Sequence, residues 1–400
     1  MNNFVLNNPV KVVFGPGEVS TIGTEAVAFG SKALVVSYLQ HDVLSGVLKG
    51  VEASLTEAGV TVVPFYAVSA NPTLDECTAG VAEAKAASVD MVIAVGGGSA
   101  MDSAKIIAAG MFYEHDLWMM IRDRHDDTEN TIDPTAALPL ICIPTLPATS
   151  SEMNPGAVVT NPATKEKSYV FNPLLFPKVA ILDPELTLTL PAYQTAAGVA
   201  DAISHAMESY LFSPGDTPLQ DGFLESVFRT LIDNGRLALA TPGDITARSN
   251  IQWAACMAWN GLLDAGIGAW APMHQLGHVM SAHFNVAHGA TLSMVMPSYM
   301  RYILPERLDR LVPLATRVFG VCPDGKTDEQ VAAEGLDAFE AFLTEIGMPT
   351  RLAHADIPAD AIDTLCDDVY RISLNADGVL GGVPTVTREG IRDIYELAKE

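Results

Sequence analysis

The sequence predicts an α/β domain built on a parallel sheet, followed by an all-helical domain. Three observations carry this. Short β-type apolar runs alternate with helix-periodic stretches up to about residue 190. One of those runs, Met91–Val95 (MVIAV), is apolar throughout, as a strand covered on both faces must be. Beyond Pro191 the apolar residues recur at i, i+3 and i+4, with turn signals between them and no strand-like alternation. The boundary falls at that proline, giving units 1–190 and 191–400. At about 150 residues per domain, 400 residues also suit more than one unit.

Taken in order, Lys11–Phe14 (KVVF) reads as a strand that runs into Gly15-Pro16-Gly17. Ala33–Ser37 and Val60–Phe65 are further strands, and Thr73–Ser88 has helical spacing. Met91–Val95 leads through Gly96-Gly97-Gly98-Ser99 into a helix over Ala100–Gly110, and Leu138–Ile143 (LPLICI) is another buried strand. In the second half, helices are expected over Ala196–Leu211, Leu219–Leu239, Ala247–Leu263, Gln275–Ala287 and Ala290–Tyr302. Two more cover Gln330–Ile346 and Arg388–Lys399. No long linker separates the halves, so the cleft between them is the default ligand site.

Charge narrows the function. Asp+Glu number 48 against 23 Lys+Arg, a net charge of −25. Such a surface repels phosphate backbones and anionic lipid, which argues against nucleic-acid and membrane partners. The five cysteines are scattered, with no CxxC pair. That pattern suits a reducing cytoplasm rather than a disulfide framework. The start, MNNFVLNNPVK, lacks the basic and apolar regions of a signal peptide.

Two loops could hold an anionic ligand. In VGGGSAMDSAK (Val95–Lys105) the glycines let backbone amides approach a phosphate, and the helix start adds partial positive charge. The segment is neither a Walker A motif nor the GxGxxG fingerprint, and a tight βα connection would look the same. The second loop, Pro144–Glu152 (PTLPATSSE), crowds hydroxyls at the carboxyl end of a strand, where doubly wound sheets bind ligands. A serine-capped helix start reads equally well there.

Histidine is the other signal. Four of the nine histidines fall within fifteen positions: His274, His278, His283 and His288. His274 and His278 share a helix face, as do Asp201 and His205 in GVADAISHAMESY. A carboxylate and imidazoles converging from two helices suit a divalent metal such as Fe²⁺, Zn²⁺, Mn²⁺ or Co²⁺. A pH-sensing histidine patch is the competing explanation.

Together these segments resemble the iron-containing (group III) alcohol dehydrogenases, in the branch of butanol dehydrogenases and broad aldehyde reductases. FGPG, NPTL at Asn71–Leu74, GGGSAMDSAK, PTLPATSSE, ADAISH, HQLGH…AHG and LGG at Leu380–Gly382 follow in the family's order. The resemblance implies a dehydroquinate synthase-like fold, with a Rossmann-like first domain. It implies Asp201, His205, His274 and His288 as metal ligands and His278 as a proton relay. It also implies pyrophosphate on Gly97, Gly98 and Ser99, with Asp102 near the nicotinamide end. Thr145, Thr149 and Lys167 would follow the ribose and ring, and Asn71 the adenosine-side phosphates. His283 would be a pocket or supporting residue.

The implied activity is hydride transfer between a nicotinamide and a small primary alcohol or aldehyde, in a cytoplasmic homodimer or larger homo-oligomer. Ser37-Tyr38-Leu39-Gln40-His41 ends the second strand without a carboxylate to repel a 2′-phosphate. That leaves NAD open and tips the expectation towards NADP. Trp253, Met257, Trp270 and Met280 are candidate pocket residues that read equally as core. The alternatives are glycerol dehydrogenase, a dehydroquinate-synthase-like lyase and a non-catalytic metal-binding scaffold. The lyase needs basic residues for its anionic substrate, and none lies within His274–His288.

Overall fold

The protein is described by a computed structural model covering residues 1–121, 131–268 and 271–400. Trp270 lies outside the described residues. The first half holds strands β1 (Lys11–Phe14), β2 (Lys32–Tyr38), β3 (Thr61–Val68), β4 (Met91–Gly96), β5 (Leu140–Pro144), β6 (Gly156–Asn161), β7 (Glu166–Phe171) and β8 (Val179–Leu182). Its helices are α1 (Ile22–Ala26), α2 (Ser45–Glu57), α3 (Leu74–Ala87) and α4 (Gly98–Gly110). Six strands form one parallel sheet in the order β1-β8-β5-β4-β2-β3.

Alternate residues of each central strand serve opposite cores. Leu34, Val36, Val92, Ala94 and Cys142 pack with α3 and α4, while Val35, Ile93, Val95 and Ile143 pack with α1 and α2. Covered on both faces, these strands are apolar without a break, which is the pattern seen in MVIAV. The chain leaves β2 towards the β3 edge and returns to β4 on β2's other side. The carboxyl ends of β2 and β4 therefore flank a topological switch point, where open α/β sheets bind ligands.

The second half is helical: α5 (Ala192–Phe212), α6 (Pro218–Ala240), α7 (Ile245–Ala258), α8 (Pro272–Phe284), α9 (His288–Ile303), α10 (Leu308–Arg317), α11 (Asp328–Glu345), α12 (Ile362–Ile372) and α13 (Arg388–Leu397). These helices enclose a separate core centred on α5, α8 and α9. Among the described residues, no helix is long and apolar enough to cross a membrane.

Several expectations are corrected. The antiparallel hairpin β6–β7 and the strand β8 are additions to the predicted first half. The helix expected over Ala247–Leu263 ends at Ala258, and the one expected from Gln275 begins at Pro272. Proline fits a helix's first turn, where its missing N–H costs nothing. The helices α10 and α12 also add to those expected.

Candidate active site

Helix α5 supplies the first part of the site. Asp201 and His205 lie one turn apart, both buried. His205 Nδ1 is 2.8 Å from the Asp201 carbonyl, which fixes the ring and assigns the proton to Nδ1. From α8, His274 brings Nε2 to 3.3 Å from His205 Nε2. Its Nδ1 and its backbone N–H both lie 3.0 Å from Glu208 Oε1. His288 opens α9 and places Nε2 3.6 Å from Asp201 Oδ1. That approach needs Gly289, where a Cβ would run into the Ala197 carbonyl of α5.

The donor set fits a divalent cation. Ligand atoms of Asp201, His205 and His274 all lie within 4.8 Å of one another. Asp201 Oδ1, both ring nitrogens of His278 and His288 Nδ1 are buried with no hydrogen-bond partner among the described residues. Burial without partners is costly for such groups. With protons on both Nδ1 atoms, the two facing Nε2 atoms offer lone pairs to each other, an arrangement that a shared cation relieves. Glu208 behind His274 gives the carboxylate–histidine support common around metal-binding imidazoles.

Electrostatics keep the imidazoles neutral, as metal ligands must be. Burial pushes His205 down to about 4 and His274 down to about 3. Burial, then the Lys167 charge, holds His278 and His288 well below the usual histidine range. Lys167 itself is pushed down to about 8 by burial, against the opposing charges of Asp201 and Asp102. Burial likewise raises Asp201 and, strongly, Glu208.

The sheet half faces this cluster through the hairpin. Lys167 on β7 donates to Asn71 Oδ1 at 3.2 Å, and Asn71 Nδ2 donates to Asn285 Oδ1 of the helical half at 2.8 Å. The glycine turn caps α4 with Gly97, and no side chain caps that helix. Gly97 N–H donates to the Tyr38 hydroxyl at 2.9 Å, and Ser99 Oγ donates to the Ala70 carbonyl at 2.6 Å. A Cβ at Gly98 would stand 2.6 Å from Thr149 Cγ2, so the turn and the hydroxyl-rich loop are in direct contact. Thr145 N–H donates to the Gly96 carbonyl at 3.0 Å.

Asp102 is turned into the protein. Its Oδ1 accepts from Ser151 Oγ at 2.6 Å and its Oδ2 from Val158 N–H at 2.9 Å. Beside it, buried Lys105 donates to Ser151 Oγ and to the Asn154 and Gly156 carbonyls, at 2.6 to 2.9 Å. The expected serine cap takes another form. Ser150 Oγ bonds Ala255 and Trp259 backbone groups on and beyond α7, at 2.5 and 3.0 Å.

His283 stands apart from the cluster and pairs Nε2 with Asp368 Oδ2 at 2.5 Å. Trp253 is half-exposed against the edge of Phe14, while Met257 and Met280 belong to apolar cores. Two contributors go beyond the sequence reading. Glu208 continues the face of Asp201 and His205 at i+7, which was the available signal. Trp259 stacks on His205 with ring centres 5.4 Å apart, and nothing local in the sequence marks it.

Comparison with known proteins agrees with this geometry. Residues 9–184 match the family described as iron-containing alcohol dehydrogenase, and residues 195–398 match its C-terminal domain. The chain is 38% identical to a probable NADH-dependent butanol dehydrogenase of Bacillus subtilis, covering 100% of both. It is 32% identical to the NADPH-dependent aldehyde reductase YqhD of Escherichia coli, again covering 100% of both. The crystal structure of NADH-dependent butanol dehydrogenase A from Thermotoga maritima superposes with a TM-score of 0.93 at 35% identity, covering 100% of this chain and 99% of that one. With both halves matched in order and full-length relatives above 30% identity, the chain belongs to the iron-containing alcohol dehydrogenase family.

Proposed function

We propose that the protein is a metal-dependent, NAD(P)-linked alcohol dehydrogenase and aldehyde reductase acting on small primary alcohols and aldehydes. The observation that carries it is the convergence of Asp201, His205 and His274 ligand atoms within 4.8 Å. When bound, a divalent cation supplies Lewis acidity towards the substrate oxygen and the nicotinamide gives or takes hydride. Asp201, His205, His274 and His288 hold the cation, with Fe²⁺ first among Fe²⁺, Zn²⁺ and Mn²⁺. The turn Gly97-Gly98-Ser99 at the start of α4 receives the pyrophosphate on the amides of Gly98 and Ser99, while the Gly97 amide is held by the Tyr38 hydroxyl. Thr145, Thr149, Asn71 and Lys167 orient the rest of the dinucleotide, and Asp102 holds their loop to the hairpin. His278, whose ring nitrogens have no partner among the described residues, moves the proton at Nε2.

In this reading, residues 1–190 bind the cofactor and residues 191–400 the metal and substrate. Free cysteines support a cytoplasmic setting. The exposed Phe4, Val5 and Leu6 at the N-terminus support a homodimer or larger homo-oligomer. The test follows oxidation of NADH and of NADPH by butyraldehyde, in metal-reconstituted protein, through near-ultraviolet absorbance. Turnover with either cofactor is expected. Inertness with both, and with the reverse alcohol reaction, would favour the scaffold.

A further inference from the structure

Two aromatic rings meet beside the histidine cluster, one from each half of the protein. Trp259, where the chain leaves α7, stacks on His205 with ring centres 5.4 Å apart and planes 29° apart. Phe171, the last residue of β7, comes to 6.2 Å from Trp259, tilted by 40°. Among the described residues, neither ring packs into any of the apolar cores. Trp259 is half-buried and Phe171 is 51% exposed. Aromatic surface left outside a core, beside a cluster of chemistry-bearing side chains, is apolar area open to a ligand.

Both rings are held in place. Trp259 N–H donates to Ser150 Oγ at 3.0 Å, and its carbonyl accepts from Asn154 Nδ2 at 3.3 Å. Asn154 also donates to the Thr149 carbonyl, and its own carbonyl accepts from buried Lys105, which ties it to the hydroxyl-rich loop and to α4. Phe171 pairs across the hairpin with Gly156, where a Cβ would stand 3.4 Å from Phe171 Cδ2. Glycine leaves the ring its room. Alternation along β7 puts Lys167, Tyr169 and Phe171 on one face, while Val170 enters the core shared with α4. At about 3.3 Å per residue that face runs about 13 Å. Its inner end, Lys167, acts electrostatically on His274, His278 and His288. Its outer end is aromatic and open to solvent.

We propose that Trp259 and Phe171 form the wall along which the substrate's carbon chain lies, and that they select aliphatic aldehydes and alcohols of about four or more carbons over shorter ones. This rests on the dehydrogenase reading, which places the reacting carbon at the histidine cluster and so runs the chain outward past Trp259. Acetaldehyde, with one methyl beyond its carbonyl, reaches least of the wall. Each further methylene covers more of the two ring faces and leaves water behind.

The test follows kcat/KM of the metal-loaded full chain with propanal, butanal, pentanal and hexanal. In the unaltered protein it should rise about two- to fourfold per added methylene, the range from one-sided to full burial of a CH₂. Trp259→Ala should flatten the rise, Phe171→Ala should reduce it, and Trp259→Phe should keep most of it. Without turnover, tryptophan emission of the Zn²⁺-loaded protein should change on titration with 1-hexanol, and the change should vanish in Trp259→Phe. An unchanged rise in both alanine variants, with turnover intact, would overturn the wall and leave the dehydrogenase reading standing. Inertness towards every aldehyde would sink that reading instead, and the 1-hexanol titration then decides the wall. No emission change, or an equal one in Trp259→Phe, overturns it. If Trp259→Ala does not fold, Phe171→Ala, altered at a half-exposed ring, decides the slope.

Discussion

His205 Nε2 and His274 Nε2, from residues 69 positions apart in the chain, face each other at 3.3 Å. Each ring has its Nδ1 committed elsewhere, to the Asp201 carbonyl and to the Glu208 carboxyl. Two lone pairs brought together in a buried place repel unless a cation lies between or beside them. This pair, more than any motif, ties the helical half to metal chemistry.

The support behind His274 is open to a direct test. Glu208→Gln keeps the shape but weakens the acceptor for Nδ1–H, and the new amide can leave its own donor unpaired. Metal affinity should fall about 10- to 100-fold, in line with other supporting carboxylates. Competitive titration with a chromogenic chelator reads this. An unchanged affinity would show that Glu208 serves packing alone.

Gly98→Ala tests the dinucleotide side independently of the metal. The added methyl would press on Thr149 from 2.6 Å, and neither the turn nor the hydroxyl loop can move freely. The dissociation constant for NAD(P)H should rise at least about tenfold, a cost of roughly 1.4 kcal/mol. Metal content should stay constant. Quenching of tryptophan fluorescence by the reduced cofactor measures the first, and elemental analysis the second.

Much of this was legible beforehand because it is local. An apolar strand, a glycine turn and i, i+4 pairs on α5 and α8 are encoded within a few residues of each other. The hairpin β6–β7 was not, because GAVVTN and EKSYVF are mixed in polarity and are fixed by long-range packing, β6 on α4 and β7 on α8. Lys167 owes its place to that hairpin. His283 was drawn towards the cluster by its neighbours in sequence, yet its partner is Asp368, on α12. The bonds of Asp102 to Ser151 and Val158 are likewise long-range and invisible to local sequence.

Acid should destabilise the metal-free protein from near neutrality. In the unfolded chain these imidazoles titrate near 6.5, but His205 and His274 fold with values of about 4 and about 3. As pH falls below about 6.5 the unfolded state takes up protons that the folded state refuses. Stability is therefore lost progressively down to the folded values, at up to about 1.4 kcal/mol per pH unit for each imidazole. Urea unfolding between pH 7 and 4 should show a shallower slope for His205→Ala than for the unaltered chain. Equal slopes would mean that His205 is not held neutral by the fold.

The most direct measurement is a calorimetric titration of the metal-stripped protein with Fe²⁺ or Zn²⁺, made beside His274→Ala. The unaltered chain should bind one ion per chain and recover aldehyde reduction. The variant should keep its far-ultraviolet circular dichroism and lose both ion and turnover. Equal binding by the two proteins, or full turnover by both with no metal present, would contradict the site described here.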